Sequence, residues 1–216
     1  MPALRVATPG LAAFLIAAIL SMSASLTVAT AARADEAAEA YVAGLGSEAI
    51  GIFGEDNVSS EEERAKFRTL LLDALDIRRV GLFAIGQYAR LPSEDQRETY
   101  FDLLAEFIVE VYYGRLSGYS NEIFEVTGSQ EKGDKGREVI VRSQIRFADS
   151  RDPLAVQWWL IRGKDGGFRV FDVNVAGIWM AQEQRGTFTS QIRNNGGCFE
   201  ALLDHLRRQI DSEDPA

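Results

Sequence analysis

The spacing of apolar residues changes near Gly118, and this change constrains the fold more than any other feature of the sequence. Before Gly118 the apolar residues recur every three or four positions, as they do on one face of an α-helix. After it they alternate with polar residues, which is typical of β-strands with one covered face. Helices followed by strands predict an α+β fold, in which helices pack on one face of a twisted antiparallel β-sheet.

The helical part contains two residue pairs with the spacing of a capping box, in which a serine is followed three positions later by Glu or Gln. Ser60 with Glu63 predicts the start of one helix, and Ser93 with Gln96 predicts the start of the longest one. Together with the apolar stripes, these starts predict helices over residues 35–53, 93–112 and 199–210, and one that begins at residue 60. Residues 76–88 are predicted to form a short apolar helix or turn. We expect the last helix to close over the sheet.

Glycine clusters divide the second half of the sequence into four predicted strands and two hairpin turns. The strands span residues 121–127, 137–147, 154–162 and 168–176, and the turns span 128–136 and 163–167. In the last strand, alternation places Phe171, Val173 and Val175 on the covered face of the sheet. Asp172 and Asn174 are then predicted on the outer, solvated face.

The N-terminus has the features of a secretory signal peptide. Arg5 precedes an apolar run over residues 11–20, and the small-residue triplet Ala32-Arg33-Ala34 follows. A membrane anchor is the alternative, but the run has about half of the roughly 20 apolar residues that a spanning helix needs. We therefore expect residues 1–34 to be removed after Ala34, leaving residues 35–216 as one soluble domain of an exported protein.

The charge of the chain makes nucleic acid an unsuitable partner. The formal net charge is −9 and becomes −11 without residues 1–34, which contain Arg5 and Arg33 but no acidic residue. An excess of acid also repels anionic lipid surfaces, which suits a protein that diffuses between membranes.

Few residues in the sequence could support catalysis or bind a metal. His205 is the only histidine and Cys198 the only cysteine, which excludes zinc sites with two histidines and internal disulfides and argues against histidine-dependent triads. We expect Cys198 to be buried and inert, and His205 to lie on the solvated face of the last helix. The glycines within 44–49 have the spacing of a dinucleotide fingerprint but follow no strand, and those within 128–136 lack the lysine of a phosphate loop. The sequence therefore predicts no enzymatic activity, no metal and no cofactor.

Three ordered segments carry a resemblance to a known family. They are DIRRVGLFAIGQYAR at 76–90 with SEDQR at 93–97 and a long aromatic helix, FRVFDVNVAGI at 168–178, and QRGTF at 184–188 with Ile192, Gly196-Gly197 and a leucine-rich helix. The ordered set resembles the MlaC family, periplasmic phospholipid-binding proteins also called toluene-tolerance auxiliary proteins. Trp179 departs from the family pattern, in which a small residue is expected there.

The resemblance implies that helices and a sheet enclose a pocket for acyl tails and that the protein shuttles phospholipid through the periplasm. The implied partners are an outer-membrane lipoprotein complex and an inner-membrane ABC transporter with its lipid-binding ring, which together maintain outer-membrane lipid asymmetry. The apolar side of each predicted element gives these expected lipid-binding residues: Phe83, Phe101, Leu104, Phe107, Ile108, Tyr112, Phe124, Val126, Val141, Ile145, Val156, Trp158, Leu160, Phe171, Val173 and Val175. A pocket that grips tails is expected to tolerate many head groups.

Two other functions fit the same sequence pattern. A cone-shaped α+β enzyme could bind a small apolar molecule and use a pocket carboxylate, but the predicted alternation turns Asp172 outward, unless the register slips by one residue. A non-catalytic interaction module with a filled core is the second alternative, because a packed core and a ligand cavity use the same residue types.

Overall fold

The computed structural model describes residues 34–55, 58–117, 122–133, 135–148 and 152–213, so the predicted signal peptide lies, apart from Ala34, outside the described residues. The described part forms six α-helices and one five-stranded sheet. The helices are α1 (Glu36–Phe53), α2 (Ser60–Ala74), α3 (Ile77–Ile85), α4 (Glu94–Leu116), α5 (Met180–Asn194) and α6 (Glu200–Glu213), with a 3-10 turn at Gly86–Tyr88. The strands are β1 (Ile123–Lys132), β2 (Glu138–Arg146), β3 (Leu154–Arg162), β4 (Phe168–Val175) and β5 (Ile178–Trp179). They pair antiparallel in chain order, which confirms the predicted α+β fold.

The helix starts follow the capping residues closely. The capping box of α4 is confirmed, since Ser93 Oγ accepts from Gln96 N–H and Gln96 Oε1 accepts from Ser93 N–H, both over 3.2 Å. The predicted cap of α2 is wrong by one position. Ser59, rather than Ser60, accepts from Glu62 N–H over 3.2 Å, and Ser60 is the first helical residue.

The first strand is longer than predicted, because it continues through Gly128 to Lys132. Its pairing with β2 shifts register between Val126 and Gly128, so Thr127 forms a bulge and the ladder resumes after it. The turn predicted over residues 128–136 is therefore confined to its last part. The other three predicted strands agree with the structure to within one residue at each end.

One face of the sheet packs against α1 and the end of α2. The buried residues of this layer are Ala38 and Val42 from α1, Ala74 from α2, and Val139, Val141, Leu160, Phe168 and Val170 from the strands. The antiparallel register brings them together, since Val141 lies opposite Trp158, which lies opposite Val173. In β2, Val139 and Val141 are both fully buried on this face, as apolar alternation places them.

A second core lies among the helices, around α4. Tyr100, Leu104, Phe188 and Leu206 are almost completely buried there, and the Tyr100 hydroxyl donates to the Gly81 carbonyl over 3.0 Å. The expectation that the last helix closes over the sheet is wrong, because α6 packs mainly against α4 and α5. Leu202, Leu203 and Leu206 of α6 belong to the same buried cluster as Tyr100 and Leu104 of α4. Among the described residues, no helix combines the length and hydrophobicity that crossing a bilayer requires.

Candidate functional site

An apolar cavity of about 330 Å³ lies between the helices and the sheet. Its volume falls in the range of small-molecule and lipid pockets, about 300–1,000 Å³. Side chains of α1, α2, α3, α4, the strands and the start of α5 line it, and most of them are aliphatic or aromatic. The arrangement offers space that hydrocarbon can fill.

The structure brings eleven of the sixteen expected lipid-binding residues to the cavity wall. They are Leu104, Phe107, Ile108, Tyr112, Phe124, Ile145, Val156, Trp158, Phe171, Val173 and Val175. Whether they contact lipid stays a prediction.

The other five expected residues do not line the cavity. Val126, Val141 and Leu160 pack in the layer beneath α1, and Phe101 lies in the helical core with the Arg78 guanidinium over its ring. Phe83 packs edge-on against Phe171, with a ring-centroid distance of 5.3 Å. Apolar spacing marks each of these as inward-facing, but it cannot distinguish a side chain that meets another element from one that meets a cavity.

Sequence reasoning missed the contribution of α1 and α2 to the cavity. These helices supply Leu45, Gly46, Ala49, Ile50, Phe53, Phe67, Leu70, Leu71 and Ala74. Their helical apolar stripe was a signal for burial, but it did not indicate which cavity or layer the stripe faces.

Gly46 allows α1 to approach the sheet closely. A Cβ atom at this position would lie within 3.0 Å of the Phe124 ring, a distance that real Cβ atoms do not reach. The Phe124 ring in turn meets Trp158 edge-on, with a centroid distance of 6.1 Å. The glycine therefore determines how far these two cavity-lining rings extend under α1.

The solvent-exposed edge of the cavity lies where α4 ends and α5 begins. Among the described lining residues, only Arg115 and Glu183 are exposed to solvent. We call these two residues the mouth. Tyr112 lies just below, and burial raises its pKa to about 12, with Arg115 opposing the shift and Asp172 and Glu183 adding to it.

Asp172 is not solvated, so that part of the prediction is wrong. Asp172 pairs with Trp159 and Val173 with Trp158, so the two side chains alternate, but α3 and α5 cover the Trp159 side of the sheet. Asp172 is therefore only 3 % exposed, and it lines the cavity. The ladder shifts register just before it, where Phe171 is an extra residue in β4. Asn174, also predicted outside, is buried and accepts from a backbone N–H of the following turn.

The Asp172 carboxylate supports the start of α5. Its Oδ1 accepts from the backbone N–H groups of Val173 and Ala181, both over 2.8 Å. The cap position of α5 is Trp179, which has no side-chain acceptor, so Asp172 satisfies a first-turn N–H from another element. Burial raises the pKa of Asp172, and the two N–H groups oppose this shift.

The structure provides little for acid–base or metal chemistry. Among the described residues, no group of three or more His, Cys, Asp or Glu side chains could hold a metal ion. Cys198 is exposed rather than buried as expected. His205 is half-buried rather than solvated, and burial lowers its pKa, with Arg208 adding to the effect.

Comparison with known proteins gives three concordant matches. The family model described as MlaC protein matches residues 47–208. The intermembrane phospholipid transport system binding protein MlaC of Haemophilus influenzae is 28 % identical over 146 residues, which cover 67 % of each chain. A phospholipid-binding protein from Ralstonia solanacearum, solved in complex with a phospholipid, superimposes with a TM-score of 0.71 at 19 % identity, covering 82 % of this chain and 98 % of that one. At that identity, the last match shows the fold alone.

Proposed function

The chain belongs to the MlaC family, whose members are non-catalytic lipid carriers, and we propose that it carries phospholipid between membranes with the acyl tails in the cavity. The observation that carries this proposal is the cavity itself. An interaction module with a filled core would be close-packed, and it would not leave about 330 Å³ of apolar space between its layers. The prediction that the protein is not an enzyme is confirmed by its family.

The proposed lipid contacts are the eleven expected residues at the cavity wall together with the lining residues of α1 and α2. Tails held there are shielded from water. Burying about 30 methylenes at about 0.8 kcal/mol each gives roughly 24 kcal/mol relative to water, so spontaneous loss is negligible. Relative to a bilayer the gain is near zero, because the tails already lie in hydrocarbon. Small changes on docking to a partner could therefore load or unload the carrier.

We also propose a periplasmic location, with residues 1–34 removed after Ala34. Support comes from the contacts of Asp35, which would become the N-terminal residue after this cleavage. Asp35 caps α1 by accepting from Ala38 N–H over 3.1 Å, its N–H donates to Ser129 Oγ over 2.7 Å, and its carboxylate pairs with Arg162. The folded unit is thus anchored from its proposed first residue.

The proposed partners are the outer-membrane lipoprotein complex and the inner-membrane ABC transporter with its lipid-binding ring. The relative from H. influenzae is named for intermembrane phospholipid transport, which supports membership of such a system. The mouth is the end of the cavity that a partner would face to exchange lipid.

The test is to extract the purified protein with organic solvent and to quantify phospholipid per chain. We expect about one phospholipid per chain, because a single cavity of this kind holds one set of tails. A protein that neither retains phospholipid nor takes it up from vesicles would contradict the carrier function.

A further inference from the structure

The charged residues that line the cavity are few, and two of the four, Arg115 and Glu183, form the mouth. Among the described lining residues, only Arg115, Glu122, Asp172 and Glu183 carry a charge. Asp172 is buried and holds the first turn of α5. The mouth therefore combines one guanidinium with one carboxylate.

Arg115 and Glu183 are far apart in sequence but lie on the same part of the cavity wall, around Tyr112. Arg115 is three residues after Tyr112 on α4, so both side chains lie on the same side of the helix. Glu183 lies in the first turn of α5, and both Arg115 and Glu183 act electrostatically on the Tyr112 phenol. The Tyr112 ring lines the cavity below them, so a ligand with its tails inside would place its polar end among these groups.

We propose that the mouth favours zwitterionic phospholipids, whose head groups carry both a phosphate and an ammonium group, over anionic ones. The Arg115 guanidinium matches a phosphate, since its planar fork can donate two parallel hydrogen bonds. Glu183 then attracts the ammonium group. An anionic head group offers a phosphate but no cation, so it lacks the contact with Glu183 and is repelled by that carboxylate. This inference rests on the proposed carrier function and narrows the broad head-group selectivity that the sequence predicts.

The expected preference is modest because Arg115 and Glu183 are solvent-exposed. Exposed ion pairs contribute about 0.2–1 kcal/mol, which corresponds to a selectivity of about 1.5- to 5-fold. Salt screens such contacts, so the preference should decrease between about 0.05 M and about 0.5 M salt.

The experiment reloads the delipidated protein from vesicles that contain equal amounts of phosphatidylethanolamine and phosphatidylglycerol. The two phospholipids are then extracted and quantified by mass spectrometry. We expect phosphatidylethanolamine to be enriched about 1.5- to 5-fold over its share in the vesicles. Glu183→Lys should abolish or reverse the enrichment. Asp211→Lys is the matched control, because it makes the same charge change at an exposed position of α6, and it should leave the enrichment unchanged.

A second variant tests the phosphate contact. Arg115→Gln should reduce loading of both phospholipids relative to diacylglycerol, which has the tails but no phosphate. Bound lipid with the same composition as the vesicles, enrichment of phosphatidylglycerol, or equal effects of Glu183→Lys and Asp211→Lys would each overturn the inference. About one lipid per chain without preference would leave the carrier function standing, whereas no lipid of either kind would overturn the carrier function itself.

Discussion

Filling the cavity should separate lipid carrying from folding, and Val173→Trp is the substitution that does this most directly. Val173 lines the cavity from β4 and lies opposite Trp158 in the ladder. An added indole ring would occupy space that the proposal assigns to acyl tails. Val170→Trp is the matched control, because Val170 lies on the same strand, is 1 % exposed and packs under α1 outside the cavity lining.

The two substitutions should differ in their effect on stability, because only Val170→Trp should lower it. A tryptophan buries about 150–250 Å², so the ring at position 173 adds on the order of 100 Å² of apolar burial, or about 2.5 kcal/mol before side-chain entropy. At position 170 the ring would overpack a layer that is already filled, which lowers the free energy of unfolding by about 1–3 kcal/mol. For a domain of this size, that decrease lowers the melting temperature by about 2–12 °C.

The assay pairs phospholipid content per chain with thermal unfolding of delipidated protein. We expect Val173→Trp to lose most of its phospholipid while its melting temperature stays equal to that of the unsubstituted protein or rises. Val170→Trp should melt earlier. Unchanged phospholipid content in Val173→Trp, with a drop in melting temperature like that of Val170→Trp, would refute the reasoning, because position 173 would then lie in a solid core.

Three further outcomes follow from individual contacts. Alanine at both His205 and Cys198 should leave phospholipid content unchanged, and a large loss with the fold preserved would show a role for one of them. Asp35→Ala removes both the cap of α1 and the ion pair with Arg162, and loss of the cap alone should lower the melting temperature by about 1–8 °C. The exposed Glu36→Ala should change it little, and equal effects of the two substitutions would contradict these assigned contacts. Asp172 has a raised pKa in the folded state, so its contribution to the free energy of unfolding is present below its ordinary pKa of 3.8 and is lost as pH rises through the raised value. Asp172→Asn should remove that part of the pH dependence in urea unfolding series, and an unchanged dependence would contradict the assignment.

The parts of the fold that local rules determine could be predicted from the sequence. The start of α4 is one example. The side chains of Ser93 and Gln96 each accept a hydrogen bond from the other residue's backbone N–H, and this does not depend on what packs against the helix. The covered face of β2 is another, since alternation in an unbroken ladder follows from the pleat alone. By contrast, α5 has a weak apolar pattern and no capping side chain of its own, so its sequence predicts no element.

The candidate site could be predicted only in part, because lining a cavity is a property of the spaces between elements. Val141 and Val173 both belong to the apolar register of their strands. Val141 meets α1 and is fully buried, whereas Val173 meets the cavity. The difference depends on where α1 crosses the sheet, and that crossing depends on Gly46 letting the Phe124 ring lie against the helix backbone. Neither strand sequence contains this information.

Asp172 shows how one bulge can connect the sheet to the cavity entrance. If Phe171 paired with Trp159 in a regular ladder, Asp172 would lie opposite Trp158 with its carboxylate on the other side of the sheet, and the N–H group of Ala181 at the start of α5 would lose its acceptor. Because Trp179 cannot cap α5, the start of this helix depends on a side chain from β4. Glu183 lies in that first helical turn, so the bulge in β4 also determines where the carboxylate of the mouth is presented. Position 172 therefore combines a local irregularity of the sheet with the electrostatics of the entrance, a combination that periodicity along a single strand cannot reveal.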